Sequence, residues 1–309
     1  MESRDTVIER LDAFVARAAS QYAPDGRFLA SLRIAFGVWV VVFPVDASWI
    51  GRVPREFFHS RPGLFFFLSG PPNHYVLLAM MWAVAILGIV LALGVFTGPT
   101  STALSLTLII NSGIAYSFSK VDHFVLFEIA PLFLAAAGWG RMWSVDSYFR
   151  RRRGSRAESG VRGLPVLLFG MTIGWAMLTA AAPKVAGGWL DPHRYASRGY
   201  LARDIFQNEK LGPFGPMAME FHNGIFWKLL DYTTLLAEGG LIFFVFFPMV
   251  FRAWLALLAC FHVGVYLTLG ISFLDFVLVY AVFFSPLFMW CASKANRLVR
   301  RHALNPTRA

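Results

Sequence analysis

The chain has 309 residues, of which 57% are hydrophobic, 16% aromatic and only 15% charged. Its mean hydropathy is +0.57, and soluble globular domains carry about 25% charged residues, so an ordinary water-soluble domain is excluded. A formal charge of +10 does not point to nucleic acid, because the arginines crowd between apolar segments, where the orientation signals of membrane proteins belong.

The first 25 residues are mixed in charge and lead into a full-length apolar run, so no cleavable leader is expected. Within them "VIERLDAFVARAA" places Val7, Leu11, Phe14 or Val15, and Ala18 on one helical face. That pattern suits an amphipathic helix lying on a membrane surface. Eight apolar segments follow, near 28–46, 74–96, 101–118, 122–140, 164–183, 224–250, 253–270 and 273–292. Each approaches the length that carries a helix across a hydrocarbon core of ~30 Å. The short links "TGPT" (97–100) and "SKV" (119–121) predict antiparallel helical hairpins. "RPGLFFFLSGPP" (61–72) is too short to cross and is bracketed by breakers, which predicts a re-entrant or interfacial piece.

With the N-terminus inside, the inner connections hold 17 Lys and Arg and the outer ones 9. "RMWSVDSYFRRRRGSRAESGVR" and the acid-free tail dominate this count. The expected fold is therefore an all-α polytopic membrane bundle of about eight transmembrane helices, N-in and C-in. Its divisions are an amphipathic segment (1–27), the transmembrane helical domain (28–292) and a basic cytoplasmic tail (293–309). The arginine run 150–153 reads as topology and anionic-lipid contact. No internal repeat and no low-complexity segment is visible. The longest extramembrane connection, 184–222, spans 39 residues, too few for a second soluble domain.

Ionisable residues in or beside apolar spans carry the functional signal, because a charge in hydrocarbon costs several kcal/mol unless paired or hydrated. They are Asp122, His123, Lys184, Glu238, His262 and Asp275. Four of them fall near the outer face in this topology. Each also has a plainer reading. Lys184 can anchor a helix at the headgroups, and His123 can cap a helix or pair with Asp122. His262 can donate an interhelical hydrogen bond, and "GMTIG" (170–174) is a GxxxG match that signals helix contact alone. Glu238 can sit protonated and hydrogen-bonded, with Gly239 and Gly240 allowing close packing or a kink.

Cys260 and Cys291 lie in apolar segments and form no CxxC pair, so they read as small buried hydrophobes. There is no HExxH, paired CxxC, histidine cluster, P-loop or GxSxG, and no metal is expected. Haem ligation by His123 and His262 lacks a second stacked histidine pair. A transporter would show inverted repeats and broken helices, which are absent from the pattern.

Four stretches carry a family resemblance. They are "DHFVLFEIAPLFLAAAGWGRMWSVD", "PKVAGGWLDPHRYASRG", "LLAEGGLIFF" and "FHVGVYLTLGISFLDFVLVYAVFFSPLF". In this order, from about Arg33 to Trp290, the chain resembles the horizontally transferred transmembrane domain family, of the vitamin K-dependent gamma-carboxylase type. The resemblance implies a membrane enzyme that couples oxygenation of a reduced naphthoquinone, giving an epoxide, to carboxylation of glutamate. Reduced vitamin K or menaquinone, oxygen and carbon dioxide would be required. By position Lys184 would be the base that deprotonates the hydroquinone. His123 would assist carboxylation or position the reacting groups, and His262 would belong to the pocket wall.

Burial in an apolar pocket favours the neutral form of an amine, which is the form a base needs. "AGGW" lets backbone approach a flat ring and supplies an aromatic neighbour in Trp189. The resemblance also has departures. The animal carboxylases carry a large extramembrane portion that is not expected in this chain, and Pro183 stands where they have a further lysine.

The partners implied are membrane lipid, a quinone and a glutamate-containing peptide. The expected setting is a bacterial plasma membrane with the site on the extracytoplasmic side. The alternative is a non-catalytic membrane accessory protein that binds a quinone, a lipid or an exported peptide. The catalytic reading expects Lys184, His123 and His262 to line one outward-facing apolar cavity of ~300–1,000 Å³, with Glu238, Trp189 and Asp122 contributing.

Overall fold

The computed structural model describes residues 2–58, 65–118, 124–154, 161–208 and 212–290. Among the described residues every regular element is helical. In chain order the α-helices are α1 (Glu2–Gln21), α2 (Gly26–Val42), α3 (His74–Leu93), α4 (Thr97–Ala115), α5 (Val125–Ala137), α6 (Val145–Arg152), α7 (Leu164–Ala186), α8 (Ala196–Asn208), α9 (Gly215–Met219), α10 (Gly224–Phe244), α11 (Pro248–Leu269) and α12 (Asp275–Ala281). Short 3-10 turns stand at Ser48–Arg52, Arg55–Phe57 and Val282–Phe284.

A helix stands at each of the eight positions where the apolar pattern predicts one. Three of them, α3, α7 and α11, are by themselves long and apolar enough to cross a membrane, which is compatible with a membrane protein. The others fall short for reasons visible in their residues. α2 has 17 residues and α5 has 13. α4 is diluted by buried hydroxyls at Thr97, Thr100, Ser101, Ser105 and Ser112, and α10 carries Lys228, Asp231 and Glu238.

The chain divides into two compact units. One joins Met1–Gln21 to Leu167–Val277, and the other joins Tyr22–Val166 to Leu278–Ala309.

In the second unit, α2 lies close on α3 through glycine. A Cβ at Gly37 would fall 2.4 Å from the Gly88 carbonyl oxygen, and one at Gly88 would fall 2.4 Å from Val40. Asp25 and Asn73 start α2 and α3 by accepting from the amides of Arg27 and Phe28, and of Tyr75. Such side chains satisfy donors that the helix itself leaves open.

The α3–α4 hairpin turns at Gly94–Phe96, where Gly94 has φ +71° and Phe96 φ +44°, and not at "TGPT". Thr97–Thr100 is already the first turn of α4, where the missing N–H of Pro99 costs nothing. Asp146 caps this turn, accepting from the amides of Phe96 (2.9 Å) and Thr97 (2.7 Å) and from the Thr97 hydroxyl (2.8 Å).

Arg33 is fully buried in this unit. It donates to the carbonyls of Trp139 (3.2 Å), Met142 (3.2 Å), Ala92 (3.3 Å) and Trp143 (2.5 Å). The guanidinium thus satisfies carbonyls where α3 and α5 end. In the described part of 61–72, residues 65–67 form a turn. Phe65 and Leu68 pack against a small core of Ala47, Ile50, Phe58, Leu77 and Ile114. The link "SKV" lies outside the described residues.

In the first unit, α10 packs on α11 and α8. α1 is helical as its pattern predicts. Ala18 and Ala19 are buried while Val7, Ile8, Leu11 and Phe14 stay exposed. The GxxxG match does mark a contact: a Cβ at Gly174 of α7 would fall 2.8 Å from the Ile242 backbone of α10. Gly240 also serves close packing, since a Cβ there would fall 2.7 Å from the Trp254 ring, whereas one at Gly239 would make ordinary contact with Ala181 at 3.6 Å; α10 runs unbroken through both.

Candidate functional site

The site is built at the end of α7. The helix continues through Pro183, whose ring nitrogen has no proton to donate to the preceding turn, and ends at Ala186. Gly188 then adopts φ +83°. The Trp189 amide donates to the Lys184 carbonyl (3.2 Å) and the Gly188 amide to the Val185 carbonyl (3.1 Å). This pair of bonds across a left-handed residue is a Schellman motif, which brings the residue after the turn back onto the one five positions before it. Here those two residues are Trp189 and Lys184. The Lys184 amine accordingly lies over the Trp189 ring, 5.4 Å from its centroid.

On its other side the Lys184 amine donates to both carboxylate oxygens of Glu238. The Lys184 side chain is 23% exposed and that of Glu238 7%, so solvent reaches the amine and hardly reaches the acid. α7 and α10 approach closely at Gly174, where a Cβ would fall 2.8 Å from the Ile242 backbone. The arrangement couples an amine, a carboxylate and an aromatic face. Trp189 itself is buried, with Tyr200 packed against it at 5.6 Å between centroids.

A second charged pair stands beside it and was not anticipated from the sequence. Asp231 of α10 is fully buried. It accepts from the amides of Ala196 (3.0 Å) and Ser197 (2.8 Å) and from the Ser197 hydroxyl (2.6 Å). It thereby caps α8 from another helix. Lys228 donates to the carbonyls of Trp189 (2.8 Å) and Arg194 (2.9 Å) and to Asp231 (3.1 Å). The pair clasps the loop 189–197 at both ends. The spacing in "KLLD" was the available signal, since residues three apart share a helix face. Buried Arg33 and Glu128 were also unanticipated.

Of the expected site residues, the structure brings Lys184, Glu238 and Trp189 together. His262 is buried on α11, stacked on Phe273 (4.3 Å between centroids, 12° between planes) and edge-on to Phe276 (5.4 Å). Its surroundings are aromatic. Asp122 and His123 lie outside the described residues. Asp275 begins α12.

Just past Trp189 opens a cleft of about 430 Å³. Trp189, Arg194, Tyr195, Tyr200 and Arg203 give it side chains, and glycine backbone forms part of the wall. Trp189 is its one lining residue from the expected set; Lys184, Glu238 and His262 do not line it. Among the described residues no group of three or more His, Cys, Asp or Glu is arranged to hold a metal ion. Comparison of the chain with protein families, with curated proteins and with solved structures returns no match.

Proposed function

We propose that the chain is an integral membrane enzyme of the vitamin K-dependent gamma-carboxylase type, in which Lys184 is the base that acts on a reduced naphthoquinone. The observation that supports this most is the Lys184 amine held between the Glu238 carboxylate and the Trp189 ring, at the end of a helix able to cross a membrane. In the proposed topology the eight apolar helices all cross, with both termini inside.

The residues present fit a hydroquinone. Its hydroxyl is a donor for a partly accessible amine, and its flat ring is of the kind that packs beside aromatic side chains. When bound, such a ring would supply the electrons that reduce oxygen, and its oxygenation would supply the strong base that removal of a glutamate γ-proton requires, while carbon dioxide would supply the added carbon. Lys184 takes the hydroxyl proton at Nζ. Glu238 orients that amine and offers a carboxylate to which the proton can pass. The left-handed turn at Gly188 fixes Trp189 against the same amine, and the resemblance assigns His123 a part in carboxylation.

The test is hydroquinone-dependent epoxide formation by the purified protein with oxygen and bicarbonate. Lys184→Ala is expected to abolish it. Epoxidation unchanged in that variant removes Lys184 from the base role.

A second reading has its own support. The Lys184 amine already donates to both carboxylate oxygens of Glu238, as the amine of a purely architectural pair would. In that reading the chain is a non-catalytic accessory protein that binds quinone, lipid or an exported peptide. Saturable naphthoquinone binding without product, under the same conditions, favours it.

A further inference from the structure

We propose that the cleft beyond α7 binds the phosphate of an anionic amphiphile, a phospholipid headgroup, between Arg194 and Arg203. The inference is independent of the enzyme reading. The charged residues that line the cleft are these two arginines, with no carboxylate among its lining residues. Each guanidinium is paired with one aspartate and has N–H donors left over. Arg194 Nε lies 3.4 Å from Asp191. Arg203 presents its Nε and one terminal nitrogen to Asp204, at 3.3 and 3.2 Å. A guanidinium has five N–H donors in a planar fork that matches phosphate oxygens.

Arg203 also lies over the Tyr200 ring, 4.3 Å from its centroid, a cation–π contact that helps to hold the guanidinium in place. The first amides of α8 are not the anion's donors, because Asp231 already takes those of Ala196 and Ser197. The task falls to the arginines.

Position selects a lipid over a soluble anion. α7 is long and apolar enough to span a bilayer and ends at Ala186, and the cleft begins at the next residue, Gly187. Residues directly past such a helix lie at headgroup depth, where Trp and Tyr concentrate. Trp189 and Tyr200, with centroids 5.6 Å apart, form an apolar wall, and Leu190 beside them is 53% exposed. An acyl-bearing ligand has a surface to follow there, whereas a free phosphate would use the arginines alone.

The test uses the full chain purified in neutral detergent, with bound lipid counted by native mass spectrometry during titration with dioleoyl phosphatidylglycerol or dioleoyl phosphatidylcholine. Phosphatidylglycerol is expected to bind preferentially. The preference should fall by roughly tenfold in Arg194→Gln and again in Arg203→Gln, the size of a charge-assisted hydrogen bond to a partly exposed group. The control variant Arg52→Gln/Arg55→Gln removes charge at exposed arginines outside the cleft lining and should leave the preference intact. An equal loss in that control, or no loss in either arginine variant, overturns the proposal. In a separate arm, displacement of the lipid by millimolar inorganic phosphate would assign the cleft to a soluble phosphate ligand and overturn the lipid assignment.

Discussion

Left-handed backbone at Gly188 is what turns Trp189 back over Lys184. An L-residue pays about 1–2 kcal/mol to hold that conformation, and Gly188 holds φ +83°. Gly188→Ala is therefore expected to destabilise the purified protein by that amount, read as a lower unfolding temperature in detergent. Gly187→Ala is the comparison, because Gly187 does not hold a positive φ and a Cβ there would lie 3.1 Å from the Pro183 carbonyl oxygen and 3.5 Å from that of Lys184. Equal effects of the two substitutions would remove the left-handed turn as the cause. At this scale the sequence was informative where a charge stood out against its surroundings. Lys184, Trp189 and Glu238 could be named because proline, glycine and tryptophan crowd round the lysine, and because a lone acid interrupts an apolar run. Arg33 escaped notice because its partners are four backbone carbonyls. A carbonyl acceptor belongs to every residue and leaves no mark in a sequence.

Among the elements, α10 does the most to position the site. Glu238 meets α7 from its second half, while Lys228 and Asp231 hold the loop 189–197 from its first. Removing one member of a buried, fully bonded pair leaves the other charge uncompensated, which costs about 3–5 kcal/mol. Lys228→Met and Asp231→Leu should each destabilise on that scale. The double variant should lose less than the two single losses added together, since neither charge is then left alone. Thermal unfolding of the three variants checks this, and strict additivity would show that the clasp is not a coupled unit. Helix positions were legible from apolar run length, because eight runs end at breakers or charges. Helix ends were less so. "TGPT" looked like a turn from its Gly and Pro, yet both residues are acceptable in a first helical turn. The real turn lies at Gly94–Phe96, where Asp146, fifty residues on, accepts the Phe96 amide. A cap supplied from so far along the chain cannot be read locally.

For the whole molecule the open quantity is how many helices cross, and α10 decides it. α7 and α11 qualify on their own residues, while α10 between them carries three ionisable side chains. Two of these are satisfied by each other and by backbone, and the third by Lys184. Paired and hydrogen-bonded, they present far less cost to a membrane core than three free charges would. Internal pairing is thus what makes a crossing α10 physically acceptable, and hydropathy counted along one helix misses it. Single cysteines in a background lacking Cys260 and Cys291 separate the cases. Positions Arg156 and Asn208 flank α7 and are expected to label from opposite sides, Arg156 only after permeabilisation and Asn208 from outside. Phe247, 56% exposed between α10 and α11, is the deciding position. If α10 crosses, a cysteine at Phe247 labels only after permeabilisation, like Arg156. If it labels from outside with Asn208, α10 does not cross. The eight-span bundle would then fail, and the Lys184–Glu238 pair would join a spanning helix to one that lies at the membrane surface.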